Sequence, residues 1–395
     1  MTDLTMEQIR QEFPGLYHKV YFNFGGQGIL PRSAMDAIID TYQYIEKVGP
    51  FGLKINAWLQ KKTAETKAMI ASELGVTPHT ISLTENVTAS CNIALWGLDW
   101  KPGDQILLTD AEHPGVIATV QEISRRFGVE IVTCPILETL NQGDPVMVIR
   151  EYLTPNTQLF VMSHVLWNSG QVLPLKEIVE TCHNYNQNQP VKVLVDGAQS
   201  VGMLPLNLKE SGVDFYAFTG HKWLCGPSGV GGLYINPEVF TELKPTFIGW
   251  RGVNPHSPGE VISFKDDGSK FEVATSAYPL YQGLSSGIST HRQWGSPQKR
   301  YERICNLSAY LWEKLQSIEG IKTLKNSPPE SGLVSFYVNQ KLSPDELVKE
   351  LEKRGFFLRT LADPYCVRAC VHYFTLESEI DELVNTIKDI LNLTP

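Results

Sequence analysis

Three segments carry side chains suited to acid–base or covalent chemistry, and each directly follows an apolar run. Asp196 comes after Val193-Leu-Val195 and is trailed by Gly197-Ala-Gln199. His221-Lys222 follows a run ending at Phe218, inside Thr219-Gly-His-Lys-Trp-Leu-Cys-Gly-Pro-Ser-Gly-Val-Gly-Gly232. His113 follows a run ending near Thr109, inside Asp110-Ala-Glu-His-Pro114. Taken singly, these are a turn or helix-cap aspartate, a solvated lysine and a turn histidine before proline. Together they are the parts needed to run pyridoxal phosphate. A lysine amine can hold the cofactor aldehyde as a Schiff base, while a carboxylate keeps the pyridine nitrogen protonated so that the ring accepts electrons. A phosphate cradle is available in Asn86-Val-Thr-Ala-Ser90, after which helical spacing resumes. Free backbone N–H groups and a hydroxyl there would meet a dianion at a helix start. A plain helix cap is the other reading of Thr88.

The elements that must position these residues alternate. Apolar runs at 105–109, 130–134, 158–162, 191–195, 214–218 and 230–235 read as strands. Helical spacing at 115–127, 145–152 and 175–185 separates the earlier ones, the first stopping at Gly128 and the last starting after Pro174. Near-continuous apolar strands between helices predict an α/β unit with a mainly parallel, doubly wound sheet covered on both faces. Ligands of such sheets gather beyond the carboxyl ends of the strands, where Asp196, Lys222 and His113 are expected. After about residue 285 the pattern changes to a long helix (299–318), a strand (333–337), a helix (344–354), strands near 356–359 and 366–370, and a closing helix (377–391). The expected division is a large α/β domain over 21–285 and a smaller α+β domain formed by 1–20 with 286–395. Thr5 and Gln8 are spaced for a capping box on a short N-terminal helix. Residues 245–268, rich in Pro and Gly, read as an irregular excursion of the large domain.

Composition narrows the function classes. The chain has 395 residues, 42% hydrophobic and 19% charged, which is ordinary globular composition with enough apolar residues for a sizeable core. Lys and Arg number 34 against 43 Asp and Glu, a formal charge of −9, so a nucleic-acid surface is not expected. Nor is a membrane span, since no apolar stretch approaches the roughly 18 residues required. The seven cysteines are scattered and none forms a Cys-x-x-Cys, which argues against a disulfide framework or zinc site and for a cytoplasmic protein with reduced thiols.

The segment 215–233, with His221-Lys222 and Gly229-x-Gly231-x-Leu233, resembles the pyridoxal-attachment signature of class V aminotransferases, a group that includes cysteine desulfurases, selenocysteine lyases and kynureninase. Asp196-x-x-Gln199 lies upstream at the family's separation, and Ala111-Glu-His113 resembles its cofactor-stacking motif. The resemblance runs from Tyr21-Phe-Asn-Phe-Gly-Gly to Arg368 and implies the type I fold of pyridoxal-phosphate enzymes. It further implies that Lys222 is the Schiff-base lysine and the base for the substrate α-proton. Asp196 would pair with the ring nitrogen, Gln199 would hydrogen-bond the ring hydroxyl, and His113 would stack on the ring. Thr88, Ala89, Thr219 and His221 would contact the phosphate. Ala274 and Thr275, in Phe271-Glu-Val-Ala-Thr275, would reach the phosphate of a second subunit, so a homodimer with shared active sites is implied. Arg368 matches the arginine that binds the substrate carboxylate, a task suited to a guanidinium fork. Arg359 resembles a second arginine nearby.

The departures bear on the reaction. A cysteine desulfurase carries its nucleophilic thiol on a mobile loop before the carboxylate-binding arginine. Here Thr-Leu-Ala-Asp-Pro-Tyr-Cys-Val separates Arg359 from Arg368, and Cys366 is the sole candidate. Strand alternation puts it on the face of Arg368, but within the strand, where it reads as a small packed residue. Without that thiol, α-proton loss can expel a β-substituent directly, which requires a good leaving group such as a disulfide sulfur. The whole chain resembles the cyanobacterial cystine C-S lyases of class V. This implies β-elimination from cystine or a related cysteine derivative to give thiocysteine, pyruvate and ammonia. The alternative is a desulfurase or selenocysteine lyase passing sulfur to an acceptor, such as an iron–sulfur apoprotein. A cofactor-binding regulatory protein without turnover is a third. Trp250-Arg251 is expected near the leaving-group side.

Overall fold

The computed structural model describes residues 4–338 and 342–393. A short helix α1 (Met6–Gln11) opens the chain, its first turn closed by the Thr5–Gln8 capping box. Such a cap stabilises a helix by about 1 kcal/mol. A two-residue strand β1 (Val20–Tyr21) leads to two long helices, α2 (Arg32–Val48) and α3 (Leu53–Leu74). Then follow β2 (Ile81–Thr84), α4 (Val87–Gly97), β3 (Gln105–Thr109), α5 (Pro114–Phe127), β4 (Glu130–Cys134), α6 (Pro145–Tyr152) and β5 (Thr157–Ser163). The series continues with α7 (Leu175–Tyr185), β6 (Lys192–Asp196), the four-residue α8 (Leu208–Ser211), β7 (Phe215–Thr219) and β8 (Gly231–Ile235).

These strands form a seven-stranded sheet in the order β2-β8-β7-β6-β5-β3-β4. All neighbours from β7 to β4 pair parallel, whereas β8 runs antiparallel to both β7 and β2. The segment 220–230 contains no helix. It is shorter than a parallel crossover needs, so β8 must turn back on β7. β2, which the apolar pattern did not single out, therefore points the same way as the five parallel strands. Alternate strand residues feed two buried clusters. Leu107, Phe160, Met162, Val193, Val195, Tyr216 and Phe218 meet Ile70, Leu74, Ile149 and Ile178 on one face. Ile106, Leu108, Leu159, Val161, Leu194 and Phe215 meet Cys91, Leu95, Val116 and Val120 on the other. The apolar runs are continuous because each face has its own cover of helices.

No strand or helix forms between 240 and 267; the chain wanders there with a single bridge, Val253 to Phe264. It re-enters regular structure at α9 (Tyr278–Trp294) and α10 (Pro297–Gln316), then β9 (Ile321–Thr323), β10 (Leu333–Val338), α11 (Pro344–Lys353), β11 (Phe356–Phe357), β12 (Arg359–Ala362), β13 (Tyr365–Cys370) and α12 (Glu377–Leu393). The strand expected at 356–359 is two. Phe356–Phe357 pairs parallel with β1, and from Arg359 the chain joins an antiparallel sheet of order β12-β13-β10-β9. Ile304, Leu307, Leu311, Leu347, Leu351, Ile380, Leu383 and Ile387 bury one side of that sheet, with Ile9 of α1 in the same cluster.

Candidate active site

Five strand ends meet at one edge of the large sheet, and each delivers a different functional group. Asp196 is the last residue of β6 and is 6% exposed. Its Oδ1 accepts from the Ala198 amide at 2.8 Å, leaving Oδ2 for another partner. The turn behind it is braced by the His164 amide donating to the Asp196 carbonyl (3.1 Å) and by the Gly197 amide donating to Ala217 (2.7 Å). Lys222 follows β7. Burial brings its amine down to about 8; the nearby Asp196 carboxylate opposes that fall, while Arg368 and Arg359 add to it.

Beyond β3, His113 caps α5, and its Nδ1 accepts from the Gly115 amide at 3.1 Å. The neutral ring therefore carries its proton on Nε2. Burial lowers the His113 pKa, with Lys222 and Arg359 adding to the drop and Asp196 resisting it. Glu112, one residue earlier, is buried and accepts from Thr109 Oγ1 (2.6 Å), the Ser163 amide (2.8 Å) and Ser163 Oγ (3.0 Å). It thereby ties the ends of β3 and β5 together. Burial pushes this carboxyl up to about 7 in spite of those donors.

At the β2 end, Asn86 caps α4 and its Oδ1 accepts from the Ala89 amide at 2.9 Å. The helix cap is thus Asn86 rather than Thr88. The Ala89 N–H, expected to face the phosphate, is already engaged. Thr88 Oγ1 and His113 Nδ1 both border Gly115, 3.4 and 3.3 Å from where a Cβ there would stand. From β7, Thr219 Oγ1 and His221 Nδ1 are 2.7 Å apart. Gly231 packs between these two strand ends: a Cβ there would sit 2.4 Å from the Phe218 carbonyl oxygen and 3.1 Å from the Cα atoms of Asn86 and Thr219.

Gln199 is held at both ends. Its Nε2 donates to the Gly25 carbonyl and its Oε1 accepts from Trp223 Nε1, each at 2.9 Å, which leaves one N–H and one lone pair for a ligand. Gly25 closes this side, since a Cβ there would meet Cys370 Sγ at 3.0 Å and both Arg368 NH2 and Gln199 Oε1 at 3.1 Å. Arg368, on β13, is 1% exposed; NH1 donates to the Trp167 carbonyl at 2.7 Å, while Nε and NH2 are buried without a partner. A buried guanidinium with two unpaired nitrogens is costly unless an anion arrives. Arg359 is paired directly across β12–β13 from Arg368, so both side chains leave the same face.

The segment following β5 went unnoticed in the sequence. Trp167 sets its ring edge-on to His113 (6.1 Å, 71°), and its Nε1 is buried without a partner, as is Asn168 Oδ1. The rule that ligands collect beyond parallel strand ends applies equally to β5 and was the signal available. Cys366 is 0% exposed among Leu324 and Leu361, and burial pushes its thiol up to about 12. Ala274 and Thr275 are exposed and far along the chain from the rest. Arg251, expected at the leaving-group side, is instead committed to this segment, donating to Glu272 and Ser276 Oγ at 2.6 Å; Trp250 is 66% exposed.

Fold and strand-end site together define a class V aminotransferase: the family model described as Aminotransferase class-V matches residues 20–383, and the chain belongs to that family. Within it, the chain is 49% identical to C-DES in two solved structures. One is the complex between the cystine C-S lyase C-DES and its reaction product cysteine persulfide (TM-score 0.93, covering 95% of this chain and 99% of that one). The other is a C-DES mutant with glycine covalently linked to the PLP cofactor (TM-score 0.94, covering 96% and 99%). Isopenicillin N epimerase of Streptomyces clavuligerus is 31% identical over 93% of this chain and 94% of its own. A probable cysteine desulfurase of Methanothermobacter thermautotrophicus is 25% identical over the full length of both.

Proposed function

We propose that this chain is a pyridoxal-phosphate-dependent carbon–sulfur lyase that cleaves L-cystine or a related cysteine derivative by β-elimination, giving thiocysteine, pyruvate and ammonia. The observation that carries this choice over sulfur transfer is the β12–β13 hairpin. It encloses Cys366 completely and sets Arg359 opposite Arg368. A sulfur-accepting thiol must be ionised and able to travel, and a packed thiol pushed to about 12 is neither. The likeness to C-DES supports the same reading.

The residues present fit the cofactor. Lys222 offers a buried amine near neutrality, and Asp196 Oδ2 a carboxylate for the ring nitrogen. The first turn of α4 with Thr88, and the Thr219–His221 pair, offer donors for the phosphate. Gln199 keeps one amide proton for the ring oxygen, and His113 covers a face. When bound, pyridoxal phosphate supplies an electron sink for the charge left on the substrate α-carbon. Arg368 Nε and NH2 grip the α-carboxylate, and Arg359 meets the same group or the carboxylate of the second half of cystine. Lys222 Nζ carries the α-proton, its lowered pKa allowing it to accept and return one at neutral pH.

The large unit, 21–285, holds the cofactor, and the small unit, 1–20 with 286–395, supplies both arginines; positions 1–3, 339–341 and 394–395 lie outside the described residues. A homodimer completes the site, with Ala274 and Thr275 reaching the partner's phosphate. Their exposure, and the stiff anchoring of the segment by Arg251 and Glu272, support that role. Among the described residues no helix is long and apolar enough to cross a membrane. Cytoplasmic location with reduced thiols, and delivery of the released sulfur to an acceptor such as an iron–sulfur apoprotein, complete the proposal.

Cys366→Ser is the deciding variant. Undiminished pyruvate release from cystine, with no enzyme-bound persulfide by mass spectrometry, is expected. Loss of turnover, with alanine as the wild-type product, would instead assign the chain to sulfur transfer.

A further inference from the structure

The backbone that carries Lys222 is held on all sides. The carbonyl of His221 accepts from the Gly28 amide (2.7 Å) and that of Lys222 from the Cys225 amide (3.0 Å). The next two carbonyls accept from side chains: Trp223 from His372 Nε2 at 3.0 Å, and Leu224 from His291 Nε2 at 2.9 Å. Cys225 then turns the chain with a φ of +49°, which a non-glycine residue adopts only when its surroundings hold it there.

We propose that His291 and His372 are positioning residues for Lys222: a pair of buried imidazoles whose Nε2–H groups fix the lysine's backbone at a set place relative to Arg368. The proposal rests on Lys222 being the cofactor lysine.

Hydrogen-bond roles decide the tautomers. A carbonyl only accepts, so both Nε2 atoms must carry the proton. His372 Nδ1 accepts from the Tyr373 amide at 3.0 Å, and His291 Nδ1 accepts from the Tyr373 hydroxyl at 3.0 Å. A proton added at His372 Nδ1 would face an amide N–H. Burial acts in the same direction, lowering His372 to about 3 and His291 well below its usual value. The rings are also stacked: His291 on His372 (5.4 Å, 22°) and His372 on Trp223 (5.7 Å, 23°). Rotation of either imidazole is therefore blocked by its neighbours.

The pair also closes a circuit between the two halves of the site. His372 lies four residues beyond Arg368 on the same stretch of chain. Trp223, which His372 holds, donates to Gln199; Gln199 donates to Gly25; and Gly25 packs against Arg368 NH2. The amine that takes the α-proton and the guanidinium that takes the α-carboxylate are thus tied by two routes. Misplacing such groups by about 1 Å can cost a hundredfold in rate. Cys225, His291 and His372 also bring potential metal ligands within 4.8 Å of one another. All four ring nitrogens are already committed to protein partners, so the cluster reads as a hydrogen-bonding device.

The test compares His372→Gln, whose amide nitrogen can take the place of Nε2, with His372→Asn and His372→Leu, which cannot reach the Trp223 carbonyl. Each is measured as holoenzyme for kcat and KM with cystine, for the visible circular dichroism of the bound cofactor, and for Tm. The Asn and Leu variants are expected to lose at least about tenfold in kcat with KM within about threefold, and to change the dichroic band. The Gln variant is expected to stay within about threefold of wild type and to keep the band. Wild-type kcat and dichroism in the Asn variant, or equal losses in Gln and Asn, would overturn the proposal. Should the Leu variant fail to fold, the Gln–Asn comparison decides alone. Lys222→Ala serves as control. Cofactor-dependent turnover surviving there removes both this role and the proposed function. Its loss, with wild-type behaviour in the Asn variant, removes the positioning role alone.

Discussion

At the scale of single residues, the groups proposed to do chemistry stood out because each sits at the end of an apolar run. Asp196, Lys222 and His113 could be placed on one sheet edge from the sequence, and the structure brings all three within electrostatic reach of one another. What the sequence did not show is which distant residues hold these groups: Trp167 accepts from Arg368 across 201 positions and Gly25 from Gln199 across 174, so no local spacing could signal either partner. Lys222 offers a direct check on the electrostatics. Its folded pKa, about 8, lies below the ordinary 10.5, so the folded state binds fewer protons than the unfolded one between those values. Stability contributed by this residue must then rise with pH across that window. For cofactor-free protein, the unfolding free energy of wild type relative to Lys222→Met should climb by about 1.4 kcal/mol per pH unit between pH 8 and 10. Denaturant titrations of both proteins at three pH values would reveal it. A flat difference would mean that the amine is not buried as described.

At the scale of elements, the parallel strands and their helices were legible to within a residue or two, because the four inner strands, buried on both faces, leave an unmistakable apolar run, whereas β4 is a largely exposed edge. β2 and the reversed direction of β8 were not read out, although the short, helix-free connection at 220–230 held the signal. Geometry at that reversal matters for the site. Gly231 pairs with Thr84 on one side and Thr219 on the other, and so sets the distance between the α4 cap and the Thr219–His221 pair. Gly231→Ala would press a methyl against the Phe218 carbonyl and the Asn86 and Thr219 backbones. The expected overpacking cost is about 1–3 kcal/mol, with the strain falling on the proposed phosphate cradle. Equilibrium dialysis should show cofactor affinity reduced at least about tenfold, a larger relative effect than the accompanying fall in Tm. Unaltered affinity would disconnect this glycine from the cradle.

At the scale of the molecule, several large apolar side chains face outward. Phe247 is 78% exposed, Trp250 66%, Val261 94% and Leu53 93%. Phe247 and Trp250, three positions apart in one irregular segment, are the side chains that the proposed homodimer would cover. The irregular excursion that carries them also anchors the segment bearing Ala274 and Thr275 through Arg251. Replacing Phe247 and Trp250 with serine should therefore yield a species near the 44.2 kDa chain mass in sedimentation, with weakened cofactor binding. A double variant that stays dimeric, or a monomer that binds cofactor as tightly as wild type, would count against the shared site.

The tight corner between β12 and β13, Asp363-Pro364, leaves no slack on which a sulfur-bearing side chain could swing out of the cleft. On the proposed chemistry, sulfur then departs dissolved in solvent as a small molecule, addressed to nobody. Its recipients would be selected by their own reactivity toward a diffusing persulfide. Who receives the atom would be settled by concentration and competing thiols, not by a docking event at this enzyme's surface.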